Sequence, residues 1–171
     1  EQEYGAKFVE GAGAVFRNVQ HCATATAQDP VAGERYYAGL DLAKTEDYTV
    51  LVIANSRREV VFVDRFHRID WAVQVDRIKQ ATDRYNHARI WVDTTGKGEP
   101  IFEALASAGC EVEPYTFTAR SKAQLIDNLA LLFEEKALRI PNAELWPEGV
   151  DELEAFQYSL TPSGNTKTGA P

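Results

Sequence analysis

The stretch that decides the fold spans residues 36–53 and reads Tyr36-Tyr37-Ala38-Gly39-Leu40-Asp41-Leu42-Ala43-Lys44-Thr45-Glu46-Asp47-Tyr48-Thr49-Val50-Leu51-Val52-Ile53. It predicts a short apolar strand, a tight turn and a second, longer apolar strand. A carboxylate, Asp41, lies inside the first strand. An ionised carboxylate near a core requires a partner, a hydrogen-bond network or a metal ion. The stretch therefore predicts a strand pair with a polar site at one end.

A second predicted strand carries an aspartate at the matching place, in Arg89-Ile90-Trp91-Val92-Asp93-Thr94-Thr95-Gly96. If the two strands are parallel neighbours about 4.8 Å apart, both carboxylates emerge at the same edge of the sheet. Without a cation, their repulsion would raise the pKa of one of them. Oxygen ligands with no Cys or His nearby favour Mg²⁺ or Mn²⁺. The pair therefore predicts a divalent-metal site formed by Asp41 and Asp93.

Each aspartate also has a structural interpretation. Asp41 can close the turn through Lys44 or Thr45, and Asp93 can form an Asx-turn with the residues that follow it. Asp47, just before the second strand, is either a further acidic group of the site or a solvated turn residue. The occurrence of both aspartates at matching strand positions favours the metal interpretation over either turn taken alone.

The order of predicted elements is β-β-β-α-β-α-β-α, followed by shorter pieces. Short links between the first three strands imply antiparallel neighbours, and a helix between strands implies a parallel crossover. The predicted strands are 36–42, 48–54, 59–66, 88–93, 111–115 and 156–160, and the predicted helices are 71–87, about 100–108, 119–137 and 149–155. We expect an α/β fold with a mixed sheet and helices on both faces.

The ends of the chain have a different character. Residues 1–35 are predicted to be a connecting arm whose apolar residues, including Val15, Phe16 and Val19, pack against the domain. Residues 161–171 are polar and Gly-rich and predict a loop. The three tryptophans of the chain are expected in the core or at its edge.

Composition limits the classes of function. The 171 residues fit one domain, and 44% hydrophobic residues suffice for a core. A net charge of −8 argues against a free-standing nucleic-acid binder. It does not exclude a metal-dependent nuclease, because bound metal ions reverse the local charge. No apolar run approaches a membrane span, and the spacing of Cys22 and Cys110 matches no zinc site.

Four basic residues are candidate contacts for DNA phosphates. Lys97 lies in Thr94-Thr95-Gly96-Lys97-Gly98, which is not a P-loop because glycine is absent at the position of Trp91 and Ser or Thr at that of Gly98. Arg120 and Lys122 precede or begin the long helix, and Lys167 lies near the end of the chain. The alternative for each is an ordinary solvated side chain.

Three segments resemble the C-terminal nuclease domain of tailed-bacteriophage terminase large subunits: residues 38–43, Asp47-Tyr48-Thr49-Val50 and Ile90-Trp91-Val92-Asp93-Thr94-Thr95-Gly96. Tyr158-Ser159-Leu160, Gly169-Ala170-Pro171 and the leading residues 3–8 and 15–17 are also similar to that family. The leading residues resemble the segment that joins its motor ATPase to the nuclease. The resemblance covers nearly the whole chain.

The resemblance implies an RNase H-like fold and a metal-dependent endonuclease that cuts concatemeric viral DNA with two Mg²⁺ or Mn²⁺ ions. By position, Asp41 and Asp93 match the family's metal-binding strand aspartates, and Asp47 matches an acidic position near the site. Residues 1–35 would follow a motor ATPase domain, and residues 36–171 would form the nuclease domain. The family's third metal carboxylate would lie on a final helix beyond Pro171.

The resemblance also implies partners and a location. They are double-stranded DNA, the protein's own ATPase domain, a portal protein and a small terminase subunit, without a membrane. The implied location is the cytoplasm of the infected bacterial host.

Two other functions are weighed against the nuclease. Residues 39–45 also resemble the first phosphate loop of sugar kinases and actin-like ATPases, but that fold needs a second lobe and another Gly-rich phosphate loop. A non-catalytic DNA-docking or assembly module of a packaging motor is the other alternative. The missing third carboxylate favours this module, and the acidic net charge counts against it.

Overall fold

A five-stranded mixed sheet forms the centre of the protein. The computed structural model describes residues 13–42, 48–67, 70–95, 99–160 and 166–169. Their elements follow the chain in this order: α1 Val19–Cys22, β1 Ala23–Ala25, β2 Tyr36–Asp41, β3 Thr49–Asn55, β4 Val60–Phe66, α2 Trp71–Arg84, β5 Arg89–Asp93, α3 Glu99–Ser107, β6 Val112–Tyr115, α4 Ala119–Glu134, β7 Ile140–Pro141, α5 Pro147–Ala155, β8 Gln157–Leu160 and β9 Thr166–Gly169.

The strand order of the sheet is β4-β3-β2-β5-β6. β2, β3 and β4 are antiparallel neighbours, whereas β2 pairs with β5, and β5 with β6, in parallel. The expected mixed sheet is therefore confirmed, with β2 at its centre. Parallel strands require crossover connections. The helix α2 connects β4 to β5, which pairs beside β2, and α3 connects the parallel neighbours β5 and β6.

The main core lies against one face of this sheet. Alternate residues of β2 are buried and exposed, as expected for a strand with one face against a core. The helices α2 and α3 contribute Ile78 and Leu105 to this core. The strand residues packed with them are Ala38, Leu40, Leu51, Ile53, Ile90 and Val92.

A second core joins the amino-terminal arm to the later helices. Val15, Phe16 and Val19 are buried there, as predicted, together with Phe133 of α4 and Val150 of α5. The arm is fixed further by a hydrogen bond of 3.1 Å from the Val15 N–H to the carbonyl of Phe156. Residues 13–25 are thus part of the folded body.

Several predicted boundaries are wrong for identifiable reasons. The helix predicted for 71–87 ends at Arg84, because Asn86 and His87 have positive φ values of 54° and 57° that no right-handed helix accommodates. The predicted loop 161–171 contains β9, which pairs with β8. Hairpin pairing uses backbone groups, so polar side chains did not reveal it.

None of the helices in the described part of the chain is long and apolar enough to cross a membrane.

A network of charges closes the end of the sheet opposite Asp41. The Glu59 carboxylate accepts a 3.0 Å hydrogen bond from the Asn55 side chain and lies 3.2 Å from the Arg139 guanidinium and 3.6 Å from that of Arg57. Glu59 is 9% exposed. The Asn55 hydrogen bond, followed by the charges of Arg139 and Arg57, lowers the pKa of the Glu59 carboxyl, although burial opposes this.

Replacing the carboxylate, Glu59→Gln, is expected to lower the free energy of unfolding at neutral pH by about 1–3 kcal/mol, because two charged partners lose their counter-ion. Because the pKa of Glu59 is lower in the folded protein than its ordinary value of 4.5, the ionised carboxylate stabilises the fold at pH values above 4.5. This stabilisation is lost as the pH falls through the pKa that Glu59 has in the folded protein. The difference between variant and wild type should therefore narrow in acid. Urea unfolding at a series of pH values measures it.

The exposed Glu103 of α3 provides the matched control, since Glu103→Gln removes the same charge outside this network. An equal loss of stability in both variants at neutral pH would contradict the assignment.

Candidate functional site

The parallel register of β2 and β5 brings the two aspartates to the same edge of the sheet. Leu40 pairs with Val92, so Asp41 and Asp93 follow at the same level on neighbouring strands. Both leave the buried face, since Leu40 is 4% exposed and Val92 is fully buried. Neighbouring strands lie about 4.8 Å apart. Two carboxylates at that spacing can share one cation.

The same level can be followed across the whole sheet. Asp41 pairs with Val50 of β3, and Val50 pairs with Arg65 of β4. On the other side, Asp93 pairs with Tyr115 of β6. Residues paired directly across strands share a face. We call this line of five side chains the aspartate row; in strand order it reads Arg65, Val50, Asp41, Asp93 and Tyr115.

Within the described part of the chain, the face that bears the aspartate row is uncovered beside the two carboxylates. Gly39 lies two residues before Asp41 on this face, and a Cβ atom built there meets no atom within 4 Å among the described residues. Trp91, in register with Gly39, is 37% exposed and its ring lies 6.1 Å from that of Tyr37. Trp91 was expected in the core or at its edge, and it lies instead on the face of the sheet away from the main core.

Asp93 is held by the loop that follows it. Its Oδ1 accepts a hydrogen bond of 2.8 Å from the Thr95 N–H, which is the Asx-turn considered as the structural alternative. The Thr95 hydroxyl in turn accepts a 3.0 Å hydrogen bond from the Phe117 N–H. Because the turn engages Oδ1 through a backbone donor, it orients the carboxylate and remains compatible with metal binding through Oδ2.

The donor set fits a hard divalent cation but is incomplete within the described residues. No group of three or more His, Cys, Asp or Glu side chains that could hold a metal occurs among them. Mg²⁺ requires octahedral coordination, and water commonly fills several positions. Asp41 and Asp93 alone can therefore anchor one ion, and a second ion needs further ligands.

The remaining predicted residues divide into two groups. Asp47 and Lys97 lie outside the described residues, and only the backbone of Lys167 is described, within β9. Arg120 and Lys122 lie exposed near the start of α4. That helix follows directly on the segment bonded to Thr95, so its first turn lies near the Asp93 side of the sheet edge.

A cluster of Arg65, Tyr48 and His67 lies beside Asp41, and none of these three was among the predicted site residues. The Arg65 guanidinium carbon lies 3.3 Å from the centre of the Tyr48 ring, and the His67 ring lies 4.3 Å from the same ring. The alternation of β4 could have indicated Arg65, because it places the residue on the face of the sheet away from the core.

Comparisons with known proteins agree with this geometry. The family model described as "Terminase RNaseH-like domain" matches residues 38–170. The large terminase subunit of Thermus virus P23-45 is 33% identical over 175 residues, which cover 96% of this chain and 36% of that protein. The chain thus spans about a third of the length of this relative.

Two solved structures of the large terminase nuclease from the thermophilic phage G20c are also similar. The structure with bound magnesium superposes with a TM-score of 0.83 at 29% identity and covers 93% of this chain and 88% of that one. The structure with bound cobalt has a TM-score of 0.83 at 29% identity, with 92% and 88% covered.

The hydrogen bond between Thr95 and Phe117 can be tested for its effect on metal binding. Thr95→Val removes the hydroxyl that ties the end of β5 to the segment after β6, and we expect Mn²⁺ affinity to fall about 10-fold, the size of effect typical of groups that orient a metal ligand. Mn²⁺ titration followed by electron paramagnetic resonance measures it. Thr95→Ser keeps the hydroxyl and should bind like wild type; equal affinity in all three proteins would remove this role from Thr95.

Proposed function

Since the chain belongs to the terminase RNaseH-like domain family and is a metal-dependent nuclease domain of the large subunit, we propose that it hydrolyses phosphodiester bonds of double-stranded viral DNA at Asp41 and Asp93. The observation that supports this assignment is the parallel register, which sets two carboxylates side by side at one sheet edge. The metal-bound nuclease structures of phage G20c support the same chemistry.

Mg²⁺ or Mn²⁺ is the proposed cofactor. When bound, such ions activate a water nucleophile and stabilise the leaving oxygen of the phosphodiester. Asp41 and Asp93 provide anionic ligands, and the Thr95 backbone N–H fixes the orientation of the second carboxylate. For a two-metal site we propose Asp47 as an additional acidic group.

We propose that DNA approaches along the open face beside the aspartate row. Arg120 and Lys122 at the start of α4 are suited to contact phosphates near the Asp93 side of the edge. The N-terminus of α4 also contributes positive potential there. Lys97 and Lys167 remain proposed phosphate contacts on sequence grounds.

The partners of the whole protein are proposals as well. The chain spans 36% of its relative from Thermus virus P23-45. We propose that residues 1–35 connect to a motor ATPase domain and residues 36–171 form the nuclease domain. The proposed setting is the host cytoplasm, with the small terminase subunit and portal as partners.

A DNA-docking module without cleavage is the second candidate. The observation that favours it is the absence, within the described residues, of a cluster of three metal-binding side chains. A docking module would bind DNA without cutting it in the presence of Mn²⁺, which separates the two functions.

Plasmid nicking with Mn²⁺ or Mg²⁺ tests the nuclease. Asp41→Asn and Asp93→Asn keep the side-chain shape and remove the charge that holds the ion, so each should reduce the rate of cleavage more than about 100-fold. Both variants should still fold, because neither aspartate lies in the core.

The exposed Asp151 of α5 supplies the matched control, and Asp151→Asn should cut like wild type. If cleavage persists in both strand variants at the wild-type rate, the metal assignment is wrong. If the wild-type protein binds DNA and never cuts it, the docking function replaces the nuclease.

A further inference from the structure

An aromatic platform holds Arg65 next to the proposed active site. Tyr48 lies directly before β3. The Arg65 guanidinium carbon lies over the Tyr48 ring, 3.3 Å from the centre of that ring. The centre of the His67 ring lies 4.3 Å from the centre of the Tyr48 ring. Stacking on an aromatic face orients a guanidinium plane and leaves its N–H donors at the edges of the group. The arginine is thereby ordered before any ligand arrives.

The position of Arg65 relative to the two aspartates follows from the strand pairing. Arg65 pairs with Val50, and Val50 pairs with Asp41. Two strand spacings of about 4.8 Å place the Cα atoms of Arg65 and Asp41 about 10 Å apart on the same face. A long side chain at that distance reaches the neighbourhood of a phosphate next to one bound at the aspartates.

The partner that Arg65 has within the described residues is weakly held. A carboxylate oxygen of Glu148 lies 3.9 Å from the guanidinium, at the outer limit of an ion pair. The Glu148 side chain is 57% exposed, and the Arg65 side chain is 34% exposed. Exposed pairs of this kind contribute little stability. A phosphate diester, which can accept two guanidinium N–H bonds, is the stronger partner.

We propose that Arg65, seated on Tyr48, binds a backbone phosphate of the DNA strand adjacent to the scissile phosphate, and that Glu148 occupies the arginine until DNA displaces it. The inference rests on the proposed nuclease function and adds a positioning residue to it. Arg65 sets the register of the strand along the aspartate row. Glu148 is a competitor for the same guanidinium, so its loss strengthens binding.

DNA affinity measured by fluorescence anisotropy on a short labelled duplex tests this, with Ca²⁺ replacing Mg²⁺ so that binding is separated from cleavage. Arg65→Gln should weaken binding about 5-fold and reduce the slope of log affinity against log salt by about 1, because one phosphate contact is lost. Arg58→Gln at the opposite end of β4 removes the same charge from an exposed turn and should bind like wild type.

For Glu148→Gln we expect the opposite result, a gain in DNA affinity of about 2- to 5-fold. A gain of this size corresponds to about the free energy of one exposed ion pair. This gain disappears in the double variant with Arg65→Gln. A purely structural Arg65–Glu148 pair predicts no gain that depends on Arg65. Removing any negative charge near the DNA raises affinity to some extent, so the loss of the gain in the double variant is the deciding result. If Arg65→Gln fails to fold, Arg65→Lys, which keeps the charge and loses the planar guanidinium fork, takes its place in the single and double variants.

Wild-type affinity in both Arg65→Gln and Glu148→Gln, in a protein that cuts DNA, overturns the role of Arg65 and leaves the nuclease intact. If the wild-type protein neither binds nor cuts DNA, the proposed function fails, and this inference fails with it.

Discussion

The parallel pairing of β2 with β5 determines the geometry of the candidate site. Ala38, Leu40, Ile90 and Val92 lie buried beneath it, and none is more than 4% exposed. Because side chains alternate between faces, a slip of one residue would move a carboxylate into the core. The buried side chains therefore fix the register, and the register sets Asp41 and Asp93 at one level. The energy that orders the site is supplied by hydrophobic packing on the opposite face.

The site is supported on both sides by different interactions. On the β6 side, backbone and hydroxyl hydrogen bonds join Asp93 and Thr95 to Phe117. On the β4 side, stacking of Arg65 on Tyr48 orders the start of β3. The Glu59 network lies at the opposite end of the sheet. Stability and chemistry are thus assigned to different parts of the molecule, which leaves the charged edge available for metal and DNA.

The sequence predicted those parts of the fold whose signal is periodic. Short runs of apolar and β-branched residues predicted β2 and β3, helical spacing predicted α2, and the link lengths predicted the strand directions. The exposure of Trp91 was missed because composition does not tell which face of a strand remains uncovered. The strand β9 was missed because polar residues form backbone hydrogen bonds as well as apolar ones. The end of α2 was missed because Asn86 and His87 adopt positive φ values, and neither residue type has to adopt such a conformation.

The candidate site was predictable to a similar degree. The sequence identified the two strand aspartates because a carboxylate late in an apolar strand is costly. Their juxtaposition was a hypothesis about strand order, and the observed register agrees with it. The Arg65–Tyr48 pair could not be found in this way, because it joins a residue of β4 to the residue just before β3, and packing sets the register of these two strands. Residues 43–47 and 96–98 lie outside the described part of the chain, so Asp47 and Lys97 stay predictions.

The central claim is that Asp41 and Asp93 bind one divalent ion between them. Anomalous diffraction at the manganese absorption edge, from crystals of the protein grown with Mn²⁺, locates such an ion directly. We expect a peak about 2.2 Å from one carboxylate oxygen of each aspartate, a normal distance for a hard cation of this size. A manganese peak bound elsewhere, with none between these two side chains, would contradict it.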